Sequence, residues 1–129
     1  MNEINLEETK DTPAVLFSVD KNVFQIIGKS LPENAMDFYK PLYDWIELFC
    51  KDYKNNGIEL NVDLDYLNSS SIKLVFLIFN QINEHFLSAK TDDKICINWK
   101  YQVQDDLIKL KGEEFQEYLD IPFNLIVKD

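Results

Sequence analysis

The sequence predicts a small α/β domain, a mixed β-sheet with helices packed against it, in the order β-β-α-β-α-β-α-β. Three observations point there. Residues 58–66 alternate strictly, with Ile58, Leu60, Val62, Leu64 and Tyr66 facing one way and Glu59, Asn61, Asp63 and Asp65 the other, which is the period of a strand with one covered face. Stretches with apolar residues at helical spacing lie on both sides of it. Strands joined through helices pair in parallel by right-handed crossovers, while two strands near the start are close enough to form an antiparallel hairpin.

Taken in order, residues 1–11 are charged with few apolar side chains and suggest a flexible, frayed arm, leaving 12–129 as a single domain. Thr12-Pro13 opens a first strand, Ala14 to Val19; a polar turn at Asp20-Lys21-Asn22 leads to a second, Val23 to Lys29. Ser30-Leu31-Pro32-Glu33-Asn34 has the form of a helix start, with Ser30 as the expected cap and Glu33 three residues after it. The helix that follows carries Phe38, Leu42, Trp45, Ile46, Phe49 and Tyr53 on one stripe; Pro41 should kink or split it, and Asn55-Asn56-Gly57 should supply a left-handed stop. After the alternating strand, residues 71–86 form a helix apolar around more than half its circumference, as expected of one sandwiched between layers or covered by another protein. Ile95 to Val103 alternates as a fourth strand, Asp105 to about Leu119 reads as a third helix with a weak point at Gly112, and Phe123 to Val127 closes the sheet.

Composition narrows the function. The net charge is -10, and all 13 basic residues are Lys, so neither a basic footprint nor Arg forks for bases exist and nucleic acid is an unsuited partner. Any phosphate would be met by Lys, hydroxyls and backbone N–H groups rather than guanidinium clamps. The longest apolar run, Leu74 to Phe79, is too short to insert across a membrane, and the acidic start lacks a signal-peptide layout. Cys50 and Cys96 have no metal or redox spacing and suit reduced thiols near a core. A cytoplasmic protein without metal or cofactor is the expectation.

The stretch that carries chemistry is Asn68-Ser69-Ser70-Ser71-Ile72-Lys73, where the alternating strand runs into the most apolar helix. One such residue would cap the helix; four in a row leave hydroxyls over. A phosphorylated hydroxyl here would face free N–H groups and the positive end of the helix dipole, with Lys73 within a turn and Asp65 and Tyr66 just before it. The alternatives are a constitutive scaffold with a merely capped helix, or a serine enzyme. Ser70-Ser71-Ile72-Lys73 fits S-x-x-K, but the accompanying motifs are missing. The one histidine, His85, follows Ser69 by sixteen residues on the same helix, roughly 24 Å at 1.5 Å per residue, and is expected on the helix surface. Trp45 and Trp99 are expected as packing aromatics.

These residues sit in a wider pattern. Thr12-Pro13, Pro32-Glu33-Asn34-Ala35, Phe38-Tyr39, Pro41-Leu42, Trp45, Tyr66 to Lys73, Ile97-Asn98-Trp99 with Tyr101, and Pro122-Phe123 together resemble the SiaC family of bacterial regulatory phosphoproteins over nearly the whole chain. The resemblance implies a STAS-like fold and a non-enzymatic partner switch. A serine/threonine protein kinase would phosphorylate a hydroxyl at the corner and a PP2C-like phosphatase would remove it. The unmodified form would bind and activate an effector, a diguanylate cyclase in cyclic di-GMP signalling, and phosphorylation would release it. In the family pattern the acceptor follows the Asn, which places it on Ser69, with Ser70 and Ser71 as lesser candidates. That position is usually Thr in the family, so Ser69 is a departure that keeps the chemistry, although kinases and phosphatases can discriminate the two residues.

Overall fold

Six strands form one sheet in sequence order, in a computed structural model that describes residues 1–128. They are β1 (Ile4–Leu6), β2 (Ala14–Ser18), β3 (Val23–Ser30), β4 (Ile58–Leu67), β5 (Ile95–Gln102) and β6 (Phe123–Lys128). β1, β2 and β3 pair antiparallel, and β3 through β6 pair parallel. Each parallel crossover carries a helix: α1 (Ala35–Asp52), α2 (Ser69–Ser88) and α3 (Asp106–Tyr118). Successive right-handed crossovers that step one strand in the same direction place all three helices on one face. The mixed sheet with helices against it is therefore as the sequence implies, with one strand added at the front.

That added strand corrects the expectation of a frayed arm. Residues 4–6 pair along β2, with Ile4 opposite Phe17. The Trp45 indole N–H donates to the Asn2 carbonyl at 2.7 Å, and Lys21 pairs with Glu3 at 3.5 Å. All these partners are distant in sequence, so a local reading of 1–11 sees only its charge.

The core lies between the sheet and the helices. From β4, Ile58, Leu60, Val62 and Leu64 point into it, all at 1% exposure or less. α1 brings Leu42, Trp45, Ile46 and Phe49 over Phe17 and Phe24. α2 occupies the middle, and the expected sandwich is what makes its apolar excess useful: Val75, Ile78, Phe79 and Ile82 are buried between sheet and neighbours. α3 covers Trp99, whose ring packs on Phe79 and Phe115 and whose N–H donates to the Ile108 carbonyl at 2.9 Å. Trp45 and Trp99 are thus packing aromatics, at 7% and 1% exposure.

Among the described residues the other sheet face carries no helix, which explains the polar side of β4 although β4 is an interior strand. Gln25, Asn61, Asn98 and Asn124 stand opposite one another across four strands. Asn98 donates to Asn61 at 3.0 Å and to Glu59 at 2.9 Å, and accepts from Asn124 at 2.9 Å. The Asn98 amide, with Lys94 beside it, holds the Glu59 carboxyl below its ordinary range.

Four local expectations fail for identifiable reasons. Ser30 does not cap α1; Asn34 does, accepting from the Asp37 N–H at 3.2 Å. Leu31 precedes Pro32 and is held extended, so Ser30 remains in β3 opposite Leu67. Pro41 leaves α1 unbroken; it sits on the exposed side, where water can serve the carbonyl it deprives. Gly57 has no left-handed conformation, and α1 ends at Asp52 with Tyr53 as its C-cap. Its hydrogen is required by close approach, since a Cβ there would lie 2.4 Å from the Lys94 carbonyl oxygen. His85 is 3% exposed rather than on the surface, its Nε2 2.8 Å from the Asn56 carbonyl oxygen that anchors it.

Candidate functional site

β4 ends at Leu67, and one residue later the chain turns into α2. Asn68 makes the turn from extended backbone (φ -77, ψ 168), and its Oδ1 accepts from the Ser71 N–H at 3.0 Å. The same oxygen accepts the Ser70 hydroxyl at 3.3 Å. Asn68 is thus the helix cap, and it engages one of the three serine hydroxyls as well as a backbone donor.

The second hydroxyl is engaged from below. Ser71 is fully buried, as are Ser30 at the end of β3 and, at 1% exposure, Tyr39 of α1. Ser30 Oγ donates to Ser71 Oγ at 2.8 Å and lies 2.5 Å from Tyr39 Oη. Beside this trio the Asn68 N–H donates to the Ser30 carbonyl at 2.9 Å. Burial pushes the Tyr39 phenol up to about 12 against the opposing pull of its Ser30 and Ser71 hydrogen bonds. Its ordinary value is 10.0, so the stability it contributes is whole below pH 10 and is lost as pH rises to about 12, because the unfolded chain ionises first. Tyr39→Phe removes that loss. In urea unfolding series across this window, the wild type should lose about 3 kcal/mol more than the variant.

The third hydroxyl, on Ser69, is exposed and takes part in no side-chain hydrogen bond among the described residues. Lys73 lies exposed one turn on and makes no ion pair among the described residues. Tyr66, expected on the covered face with Leu64, is instead 51% exposed opposite Lys29: the pairing with β3 skips Asp65, and this irregularity ends the alternation and leaves Leu67 as the next buried residue. Asp65 is turned elsewhere: with Asp63 it shares the Lys128 ammonium, at 3.0 Å for Asp65. The structure therefore brings Asn68, Ser69, Ser70 and Lys73 to one exposed turn, puts Ser71 inside, and neutralises Asp65 from β6.

Two clefts descend from this turn along α2. Between α1 and α2, Met36, Tyr39, Lys40, Tyr43, Leu74 and Leu77 line an almost wholly apolar cleft of about 200 Å³. Between α2 and α3, Ile72, Lys73, Phe76 and Tyr118 line a second. The sequence reading missed Ser30, Tyr39 and both clefts. Met36 and Leu77, 54% and 40% exposed, are apolar residues that signal the first by falling off the helical stripes that mark a core.

Hydrolytic chemistry finds no constellation. Ser70 Oγ is hydrogen-bonded to an amide oxygen, His85 is held by Asn56, and no group of three His, Cys, Asp or Glu among the described residues is placed to hold a metal. Cys50 and Cys96 are free thiols, and burial raises both. No described helix is long and apolar enough to cross a membrane.

Residues 6–128 match the SiaC family of regulatory phosphoproteins. The chain belongs to that family. The corner, in this light, is the one at which the SiaC resemblance of Tyr66 to Lys73 falls. The crystal structure of apo-SiaC from Pseudomonas aeruginosa superposes with a TM-score of 0.88 at 28% identity, covering 98% of this chain and 100% of that one. SiaC in the crystal structure of the P. aeruginosa diguanylate cyclase SiaD in complex with its activator SiaC is similar at a TM-score of 0.87 and 27% identity, over 97% and 99% of the two chains. The uncharacterized protein PA14_02130 of P. aeruginosa (strain UCBPP-PA14) is 28% identical over 100% of this chain and 99% of its own.

Proposed function

We propose that this SiaC family protein is a non-enzymatic switch whose unmodified form binds and activates an effector, a diguanylate cyclase in cyclic di-GMP signalling, and whose phosphorylation on Ser69 releases it. A serine/threonine kinase would transfer the γ-phosphoryl group of ATP to Ser69 Oγ, with loss of the hydroxyl proton and release of ADP. A PP2C-like phosphatase would return the hydroxyl by hydrolysis to inorganic phosphate. The observation that carries this reading is the inequality of the three serines: Ser70 is exposed but its hydroxyl donates to Asn68, the Ser30–Tyr39 pair buries that of Ser71, and Ser69 is exposed with no side-chain partner for its hydroxyl among the described residues. It heads a 20-residue helix, whose N–H groups and dipole favour an anion, and Lys73 adds a cation one turn away.

The whole-chain likeness to an activator found in complex with a diguanylate cyclase supports the choice of effector class. Phosphosite mapping by mass spectrometry, on protein recovered from cells that carry its cognate serine/threonine kinase, should find phosphate on Ser69. Phosphate confined to Ser70 or Ser71, or absent from all three, would overturn the assignment.

A further inference from the structure

Three elements meet in hydroxyl groups beneath the head of α2, and the protons there run in one direction. Each hydroxyl has one hydrogen to give. Ser30 gives its own to Ser71 at 2.8 Å, so in its 2.5 Å contact with Tyr39 it must accept. Ser71 in turn points its hydrogen at the Ser30 carbonyl, 3.4 Å away. That carbonyl also receives the backbone N–H of Asn68, the residue whose side chain caps the helix that Ser69 begins. An unbroken set of hydrogen bonds thus leads from the residue before Ser69, through the β3 terminus, to Tyr39 in the wall of the α1–α2 cleft.

We infer that Tyr39, Ser30 and Ser71 are positioning residues that carry the phosphorylation state of Ser69 to the α1–α2 cleft. The inference deepens the reading of Ser69 as the acceptor and rests on it. A phosphate on Ser69 brings strong anionic acceptors within reach of the free N–H groups of the first turn, where the neutral Asn68 Oδ1 now accepts from Ser71. Losing that bond frees Asn68 and, with it, the strap between the helix head and Ser30. Ser71 is tied to the same carbonyl and moves with it. A buried hydroxyl that loses its partner is costly to leave unpaired, so Tyr39 follows the hydrogen bond rather than staying behind. Tyr39 is flanked in the cleft by Met36, Leu74 and Leu77, so its displacement reshapes the apolar surface beside the turn.

Hydrogen exchange of the intact protein, with phosphoserine installed at position 69 during synthesis, tests this without any effector. Phosphoserine should raise exchange in the α1 segment 36–43 by about threefold or more, as local opening does when its restraints are loosened. Tyr39→Phe keeps the ring and removes the hydroxyl; in that background the first turn of α2 should still respond and α1 should not. Ser71→Ala, which cuts the same path in its middle, should behave alike and covers the case in which Tyr39→Phe folds poorly. An α1 segment indifferent to phosphoserine, or a response that survives in both variants, overturns the relay. Failure of the Ser69 reading itself shows elsewhere, as effector binding that ignores phosphoserine at 69.

Discussion

Calorimetric titration of the effector should find Ser69→Ala binding as tightly as the unmodified protein and Ser69→Asp binding at least about tenfold more weakly, a difference of about 1.4 kcal/mol. The sign follows from the site. Ser69 is exposed and its hydroxyl has no side-chain partner among the described residues, so removing it costs the fold little. An Asp in the same place adds a negative charge at the head of α2, the helix whose Leu74 and Leu77 line the apolar cleft, and a partner that docks on that helix would have to desolvate the charge. Authentic phosphoserine, with about twice the charge, should weaken binding further. Equal affinities for the Ala and Asp variants would remove Ser69 from the mechanism.

Gly112→Val should lower the unfolding free energy by about 3 kcal/mol, at the upper end of what overpacking a core costs, read as a shift in urea midpoint without a change in slope. On propensity alone, replacing a helical glycine with alanine gains about 1 kcal/mol, so Gly112→Ala tests which effect wins. A Cβ at 112 would lie 2.5 Å from Trp99 Cδ1 and 2.7 Å from Leu125 Cδ2. The Trp99 ring has nowhere to go, being hydrogen-bonded to Ile108 and enclosed by Phe79, Phe115 and Phe123. Sterics should win, and Gly112→Ala should be less stable than the wild type. The position reads as a weak point in the helix only while its neighbour across the core is unknown.

The same limit separates what was legible from what was not. β4 and α2 could be read because their signals are local: alternation and helical spacing are written in consecutive residues, and Asn68 is a cap by type and place. β1 could not, because its three residues have meaning only against Val15, Leu16 and Phe17. Ser30 looked like a cap by the company of Glu33, but Pro32 and the register with Leu67 keep it in a strand, and its hydroxyl serves Ser71, 41 residues away. His85 looked free because nothing near it in sequence binds it, while Asn56 does so from the turn after α1. At the corner itself, three adjacent serines look alike in sequence. They differ only through Asn68, Ser30 and Tyr39, two of which come from other elements.

The separation of those serines has a kinetic corollary. With Ser69 as the proposed acceptor, the Ser70 hydroxyl on Asn68 and the Ser71 hydroxyl in the interior, a modification cycle at this turn would have a single step. Occupancy would then rise hyperbolically with kinase and fall hyperbolically with phosphatase, without the threshold that several successive sites would build. Any sharpness in the response would have to come from the two opposing enzymes working near saturation, and not from the turn they act upon.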